Sequence, residues 1–242
     1  MILIMQCVNE EAYIKRLLPE VVVHDFCERI ICIDGGSTDY SVQELKKFDK
    51  VEVYHHQWND SYHDQNICQR NIALSYVPVG KTCFMLDFDE RLSEGLVKLL
   101  TEVDTSGFDG DLGLISRRTF DLMRYPESPF CMYEPDGFPI LSNQIGQFPD
   151  WQPRLIKRQV EHHWVNSPHH VLYGIKQQVQ MDVEAHIIHY EKDDSRHRER
   201  IEKKWLREQA RRKMLGLTPD VFECRPKIEI AEYAEPGNWS WE

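Results

Sequence analysis

Apolar and polar positions in the first hundred residues follow two alternating periods. Ile2 to Val8 is a nearly unbroken apolar run suited to a buried strand, and Glu10 to Leu18 then sets Ile14, Leu17 and Leu18 on one helical stripe before Pro19 interrupts it. Arg29 to Asp34 (RIICID) predicts a second strand, followed by the turn Gly35-Gly36-Ser37-Thr38 and a helix from about Asp39 to Phe48. Val51 to His55 reads as a third strand, Asp64 to Tyr76 as a helix with Ile67, Ile72 and Leu74 among its apolar positions, and Thr82 to Leu86 as a fourth strand. Ser93 then caps a helix running to about Val103. Strand and helix in alternation with short connections predict an α/β fold, a mostly parallel central sheet flanked by crossover helices.

The middle of the chain breaks this rhythm. Between Asp121 and Asp150 stand Pro126, Pro129, Pro135, Pro139 and Pro149 with Tyr125, Phe130, Tyr133, Phe138 and Phe148 interleaved, which predicts a long irregular excursion. Short strands resume at Arg154 to Lys157 and His186 to His189. Ser195 to Leu215 spaces Ile201, Trp205, Ala210 and Met214 as one amphipathic helix, and the tail from Thr218 to Glu242 is expected to pack back on the domain. The expected organisation is a domain over residues 1–194 and a C-terminal basic helix with its tail over 195–242.

Ligands of parallel α/β sheets bind at the carboxyl ends of the strands, so what stands there carries the functional reading. The first strand ends in Asn9-Glu10-Glu11, the second in Asp34-Gly35-Gly36-Ser37-Thr38-Asp39 and the fourth in Asp87-Phe88-Asp89-Glu90. One aspartate at a strand end is ordinarily a helix cap; acidic clusters at these strand ends share one rim and ask for a further reason. The Asp-x-Asp puts Asp87 and Asp89 on one side of the chain, near enough to share a divalent cation with open positions for phosphate oxygens. That suits nucleotide diphosphate chemistry, with Asp34 placed to accept from a base or ribose. Neither a dinucleotide fingerprint nor a Walker loop is present.

Composition narrows the field. With 242 residues, 41% hydrophobic and 29% charged, the chain has the make-up of an ordinary globular domain, which excludes collagen-like, coiled-coil and disordered readings. The 7 cysteines form no C-x-x-C pair, so neither a disulfide framework nor a cysteine zinc site is indicated. No apolar run approaches the roughly 20 residues of a membrane helix. Met1 to Met5 lacks the basic flank and cleavage site of a leader, so the expected location is cytoplasmic, extending to the inner face of the membrane. The net charge of -11 disfavours polyanion binding by the whole. Arg196 to Lys213, however, gathers nine basic and three acidic residues. That run reads first as a solvated helical face, and second as a contact for an anionic membrane surface or a nucleic acid such as modified DNA.

The ordered set Val8-Asn9-Glu10-Glu11, Ile33-Asp34-Gly35-Gly36-Ser37-Thr38-Asp39, Gln69-Arg70-Asn71-Ile72-Ala73-Leu74 and Met85-Leu86-Asp87-Phe88-Asp89-Glu90-Arg91-Leu92 resembles the family 2 glycosyltransferases of the GT-A (Rossmann-like) fold. It is closest to the bacterial branch related to lipopolysaccharide-core and polysaccharide sugar transferases. Trp151-Gln152-Pro153-Arg154-Leu155-Ile156 is similar to that branch's Gln-x-Arg-Leu strand, and Ile187-Ile188-His189-Tyr190 to its late histidine segment. The resemblance spans roughly the first 190 residues. It implies a sugar transferase that takes a nucleotide-diphosphate sugar, a UDP-sugar foremost, and inverts at the sugar carbon. Val8, Asn9, Glu10 and Asp34 would lie around the nucleoside, Arg70 near the donor, and Asp87 at the ribose or metal. Asp89 and His189 would complete a Mn2+ or Mg2+ site.

The chain departs from that branch where the general base is expected. The related enzymes often show His-Glu after the Arg-Leu strand, whereas this sequence reads Pro168-His169-His170-Val171-Leu172. The base is then His170, with His169 beside it, or Asp150 or Glu161, or the acceptor chemistry has changed. The acceptor expected is a glycan, a lipid-linked sugar or a polyanion, with the aromatics of 121–150 shaping its pocket. Rival readings are a nucleotidyltransferase or pyrophosphatase on the same acidic rim, a zinc site on His162-His163 and His169-His170, and a nucleic-acid or anionic-lipid binder acting through residues 196–213.

Overall fold

The computed structural model describes residues 1–58, 65–121, 132–133, 139–141, 143–165 and 171–191, with the side chains of 65–66, 121–147 and 190–191 excepted. The order is β1 (Ile2–Cys7), α1 (Glu11–Val21), β2 (Arg29–Asp34), α2 (Ser41–Leu45), β3 (Val51–His55), α3 (Gln65–Ser75), β4 (Thr82–Met85), β5 (Glu90–Leu92) and α4 (Glu94–Ser106). The second half is strand-rich: β6 (Leu112–Asp121), β7 (Met132–Tyr133), β8 (Pro139–Leu141), β9 (Asn143–Lys157), β10 (His163–Val165), β11 (Val171–Tyr173), β12 (Gln178–Gln180) and β13 (His186–Glu191).

The main sheet runs β3-β2-β1-β4-β9-β6-β13-β5, with β12 also pairing β6. Its first four strands are parallel, as expected for right-handed crossovers through α1, α2 and α3. From β4 onward it is mixed: β9 lies antiparallel to both β4 and β6, and β13 is parallel to β6 but antiparallel to β5. The main sheet is thus mostly parallel, as expected, with its antiparallel pairs confined to those that β9 and β5 make.

Both faces of the sheet are covered, which is why its strands are apolar at successive positions. On one face Leu3, Met5, Cys32 and Phe84 meet Ile14, Leu17 and Leu18 of α1 and Leu96, Leu100 and Val103 of α4. On the other Ile4, Ile31, Ile33, Cys83 and Met85 meet Ile67, Ala73 and Leu74 of α3, with Trp164 and Leu172 of the β10–β11 hairpin. Filling a site such as Leu18 with alanine would cost about 2–5 kcal/mol.

Three element boundaries differ from the sequence reading. α1 continues through Pro19 to Val21; the proline leaves the Lys15 carbonyl without its helical donor, and the helix ends within a turn of it. The helix expected over 39–48 shrinks to Ser41–Leu45. The strand expected at Arg154 is the end of β9, which begins at Asn143 inside the predicted excursion and pairs with β6, a strand the reading had not assigned. Ser93 caps α4 as expected, its hydroxyl accepting from the Leu96 amide at 3.1 Å. The basic helix and tail expected over 195–242 lie outside the described residues.

Candidate functional site

The turns after β1 and β2 are stitched into one cradle. Asn9 takes the left-handed conformation at φ 56°, which asparagine tolerates better than most residues. Its side-chain oxygen accepts from the Thr38 and Asp39 amides at 2.8 and 3.3 Å, while its own amide donates to the Ser37 hydroxyl at 3.0 Å. The Glu10 amide donates to the Ser41 hydroxyl at 2.7 Å, and that of Glu11 to Asp39 at 3.3 Å. Both glycines of the second turn are required. Gly36 has φ 98°, and a Cβ on Gly35 would come within 2.6 Å of the Val8 side chain.

Asp34 closes β2 with only 3% of its surface exposed. Its carboxylate accepts from the Ser37 amide at 3.0 Å, the Gly36 amide at 3.2 Å and the His55 Nδ1 at 3.0 Å. Burial by itself would raise the carboxyl's pKa, but the bonds from Ser37, His55 and Gly36 more than offset it and hold the group below its ordinary value. His55 is the register partner of Asp34 on β3, and the chain beyond it continues over the turn through His56 and Trp58 amides bonded to the Asp34 and Gly35 carbonyls.

The second cluster follows β4. Arg154, 4% exposed, donates from Nη1 to Asp87 at 3.1 Å and from Nη2 to the fully buried Glu90 at 2.5 Å. Glu90 also accepts from the Asp87 amide at 2.9 Å. Desolvation raises both carboxyls. At Asp87 Arg154, with Arg70 and His189, overcomes it and the pKa falls, while at Glu90 desolvation, helped by Asp87 and Asp89, wins over Arg154 and the pKa rises. His189 of β13 sits in register with Glu90 on one side and Thr119 on the other, which brings its Nε2 to 3.9 Å from Asp89 Oδ2. That separation is too long for a hydrogen bond. Burial lowers the pKa of His189 to about 4, Asp89 opposing and Arg117 reinforcing it, so the imidazole is neutral at pH 7 and has a lone pair to give.

Asp89 and His189 therefore form an oxygen and nitrogen donor pair that fits a divalent ion such as Mn2+. Asp87, expected in the same set, is paired with Arg154. Among the described residues no group of three His, Cys, Asp or Glu side chains is already assembled for a metal. A bound ion would thus take its remaining ligands from elsewhere.

Arg70 of α3 lies over the Trp164 ring at 5.2 Å. Its neighbour Asn71 exchanges both of its amide bonds with the Trp164 backbone, at 2.7 and 3.0 Å, and so locks α3 onto β10. Asp150 is held by Arg117 Nε and Nη2 at 3.0 and 2.8 Å and by Gln152 at 2.8 Å, in the strand pair that leads to Thr119. Glu161 pairs with Lys176 and follows Lys157, whose register partner Thr82 opens β4; it therefore stands toward the opposite end of the strands from Asp87. His162 is buried and its Nδ1 accepts from the Gln159 amide at 3.2 Å, a structural role. His169, His170 and the basic run 196–213 lie outside the described residues. Sequence reasoning gave no role to Arg154, Glu90 or His55. The Gln-x-Arg-Leu resemblance held the signal for the first, while nothing local marks the other two.

The family model described as Glycosyl transferase family 2 matches residues 2–147, more than half of the chain. The chain belongs to glycosyl transferase family 2. Among solved structures this family 2 chain is similar to S. aureus TarS 1-349 in complex with UDP-GlcNAc, with a TM-score of 0.54 at 16% identity over 80% of this chain and 59% of that one. The same TarS in complex with UDP gives 0.51 at 16% identity over 78% and 60%. A third, the mannosyltransferase PcManGT from Pyrobaculum calidifontis in complex with GDP-Man and Mn2+, gives 0.49 at 12% over 84% and 60%. The chain thus spans about three-fifths of the TarS structure, and at these identities the likeness establishes a shared GT-A fold. No curated protein matches the chain significantly. Among the described residues no helix is long and apolar enough to cross a membrane.

Proposed function

We propose that this family 2 chain transfers a sugar from a nucleotide-diphosphate sugar to an acceptor hydroxyl with inversion, acting with Mn2+ or Mg2+. The observation that carries the reading is the meeting of Asp89, in the turn before β5, with His189 of β13, a hundred residues further on, on the rim that also carries the Asn9–Ser37–Asp34 cradle. The UDP and UDP-GlcNAc complexes of TarS make a UDP-sugar the first donor to test. The acceptors we propose are those of the lipopolysaccharide-core and polysaccharide branch, namely a glycan, a lipid-linked sugar or a polyanion, reached from the cytoplasmic side.

In this reading the Asn9–Thr38 and Glu10–Ser41 bonds fix the cradle in which the nucleoside lies, with Asp34 facing its base. Arg154 holds Asp87 as an anion beside the ribose, and Arg70 adds positive charge on the donor side. Asp89 and His189 would hold the ion, which supplies neutralisation of the charge growing on the leaving diphosphate. The acceptor hydroxyl must lose its proton as the sugar carbon is attacked. Asp150 already accepts from Arg117 and Gln152, which engages both of its oxygens, so we assign it to positioning Arg117 and assign the proton to the His169–His170 pair.

The test is a thermal-shift series with UDP, GDP, CDP and dTDP, each with and without Mn2+, on the native chain and Asp89→Asn. A ligand at a hundred times its Kd adds roughly 2.7 kcal/mol of stability. Stabilisation that needs both one nucleotide and the metal, and disappears in the variant, supports the reading. Equal stabilisation of native chain and variant would remove the metal assignment, and no stabilisation by any nucleotide would remove the donor site.

A further inference from the structure

We propose that His55 is a specificity-determining residue of the donor site, a movable cover that occupies the acceptor position on Asp34 and yields only to a base carrying an N–H on the edge it presents there. The inference rests on the donor-site reading above.

Asp34 is a carboxylate at neutral pH and can only accept hydrogen bonds, so its neighbours must all be donors. They are the Gly36 amide, the Ser37 amide and His55, which must therefore carry its proton on Nδ1. Ser37 bonds Oδ1 while Gly36 and His55 share Oδ2, so the oxygen that His55 covers has both of its acceptor positions filled. With 5% of its side chain exposed, Asp34 cannot meet a ligand as it stands. Gly36 and Ser37 belong to the turn that Asn9 holds rigid. His55 alone of the donors has an exposed side chain, at 62%, and it ends its strand at the outer edge of the sheet. It can leave without disturbing the fold.

Geometry also puts the base at this end. Asp34 closes β2, two strands across from β4 and its Asp87, a distance of about 10 Å at ordinary strand spacing. A diphosphate seated near Asp87 and Asp89 sends its nucleoside across β1 toward β2 and β3. A base that offers an N–H replaces the His55 donor bond for bond. One without it leaves a buried carboxylate position unfilled, which is disfavoured.

The experiment measures the Kd of UDP, GDP, CDP and dTDP with Mn2+ by calorimetry on the full chain, on His55→Ala and on His55→Phe, the latter keeping a ring of similar size without the donor. Both variants should bind the preferred nucleotide roughly three- to tenfold tighter than the native chain, because no bond to Asp34 has to be broken first. Inorganic diphosphate with Mn2+ should bind all three alike. Histidine-ring 15N spectra of the native chain should show the His55 Nδ1 bond lost when the nucleotide is added. Nucleotide binding by the native chain with equal or weaker binding by both variants would overturn the cover and leave the donor site standing. Absence of binding by the native chain to any of the four would overturn both.

Discussion

Arg154 and Glu90 form a fully buried ion pair, Nη2 to Oε1 2.5 Å, between β9, the strand beside β4, and the first residue of β5. The same guanidinium reaches Asp87, so one residue from the second half of the chain sets the acidic loop of the first. Taking Arg154 away leaves two carboxylates without their counter-charge, one of them in the core.

Arg154→Met should therefore destabilise the protein by about 3–5 kcal/mol in urea unfolding, since the buried Glu90 carboxyl loses its partner. Adding Glu90→Gln to that variant should restore part of the loss, because a neutral amide costs less to bury than an unpaired carboxyl. A double variant as unstable as the sum of the two single ones would show that the pair is not coupled.

Asp89→Asn and His189→Ala should each weaken Mn2+-dependent nucleotide binding by about tenfold or more. Both side chains are less than a fifth exposed, so the unfolding midpoint without metal is measured beside it, and Asp89→Asn, which keeps the side chain's shape, should leave it little changed. Mn2+ titration of nucleotide binding reads the effect, and an unaltered metal dependence in either variant would remove that residue from the site.

Asp34 should link stability to pH. Its folded pKa lies below the ordinary 3.8, so the ionised form is favoured by folding. That contribution is complete above the unfolded value and disappears as pH falls through the folded one. Asp34→Asn should therefore be less stable than the native chain at pH 7, and the gap in Tm should close as the pH is lowered below 4. A gap that stays constant down to pH 2 would mean that the charge plays no part.

Asn9 separates backbone strain from side-chain bonding. Asn9→Gly keeps the left-handed conformation at φ 56° but loses the bonds to Thr38 and Asp39, and should cost about 1 kcal/mol. Asn9→Ala loses the same bonds and adds about 1–2 kcal/mol of strain. Thermal unfolding should thus rank native above glycine above alanine; equal values for the two variants would show that the strain is relieved locally.

Local pattern alone carried the parallel half of the fold. Ile2–Cys7, Arg29–Asp34 and Val51–His55 are short apolar runs followed by helical stripes and turn residues, and such local patterns decide secondary structure wherever burial on both faces is uniform. The turn at Gly35-Gly36 and the acidic strand ends were legible too, because strand ends in a parallel sheet share one rim. After residue 106 the strands at Arg154–Lys157 and His186–His189 were legible, and β6 and the first part of β9 were not. β6 carries Arg117 and Arg118 in mid-strand and β9 carries Pro149 and Pro153, residues that argue locally against a strand and are carried there by cross-strand pairing. Nor could local pattern say that Arg154 would lie on Glu90, that His189 would come to Asp89 rather than sit in the core, or that His55 would cover Asp34. Those are long-range relations between strands, fixed by register and by the demand that buried charges find partners, and only the tertiary structure settles them.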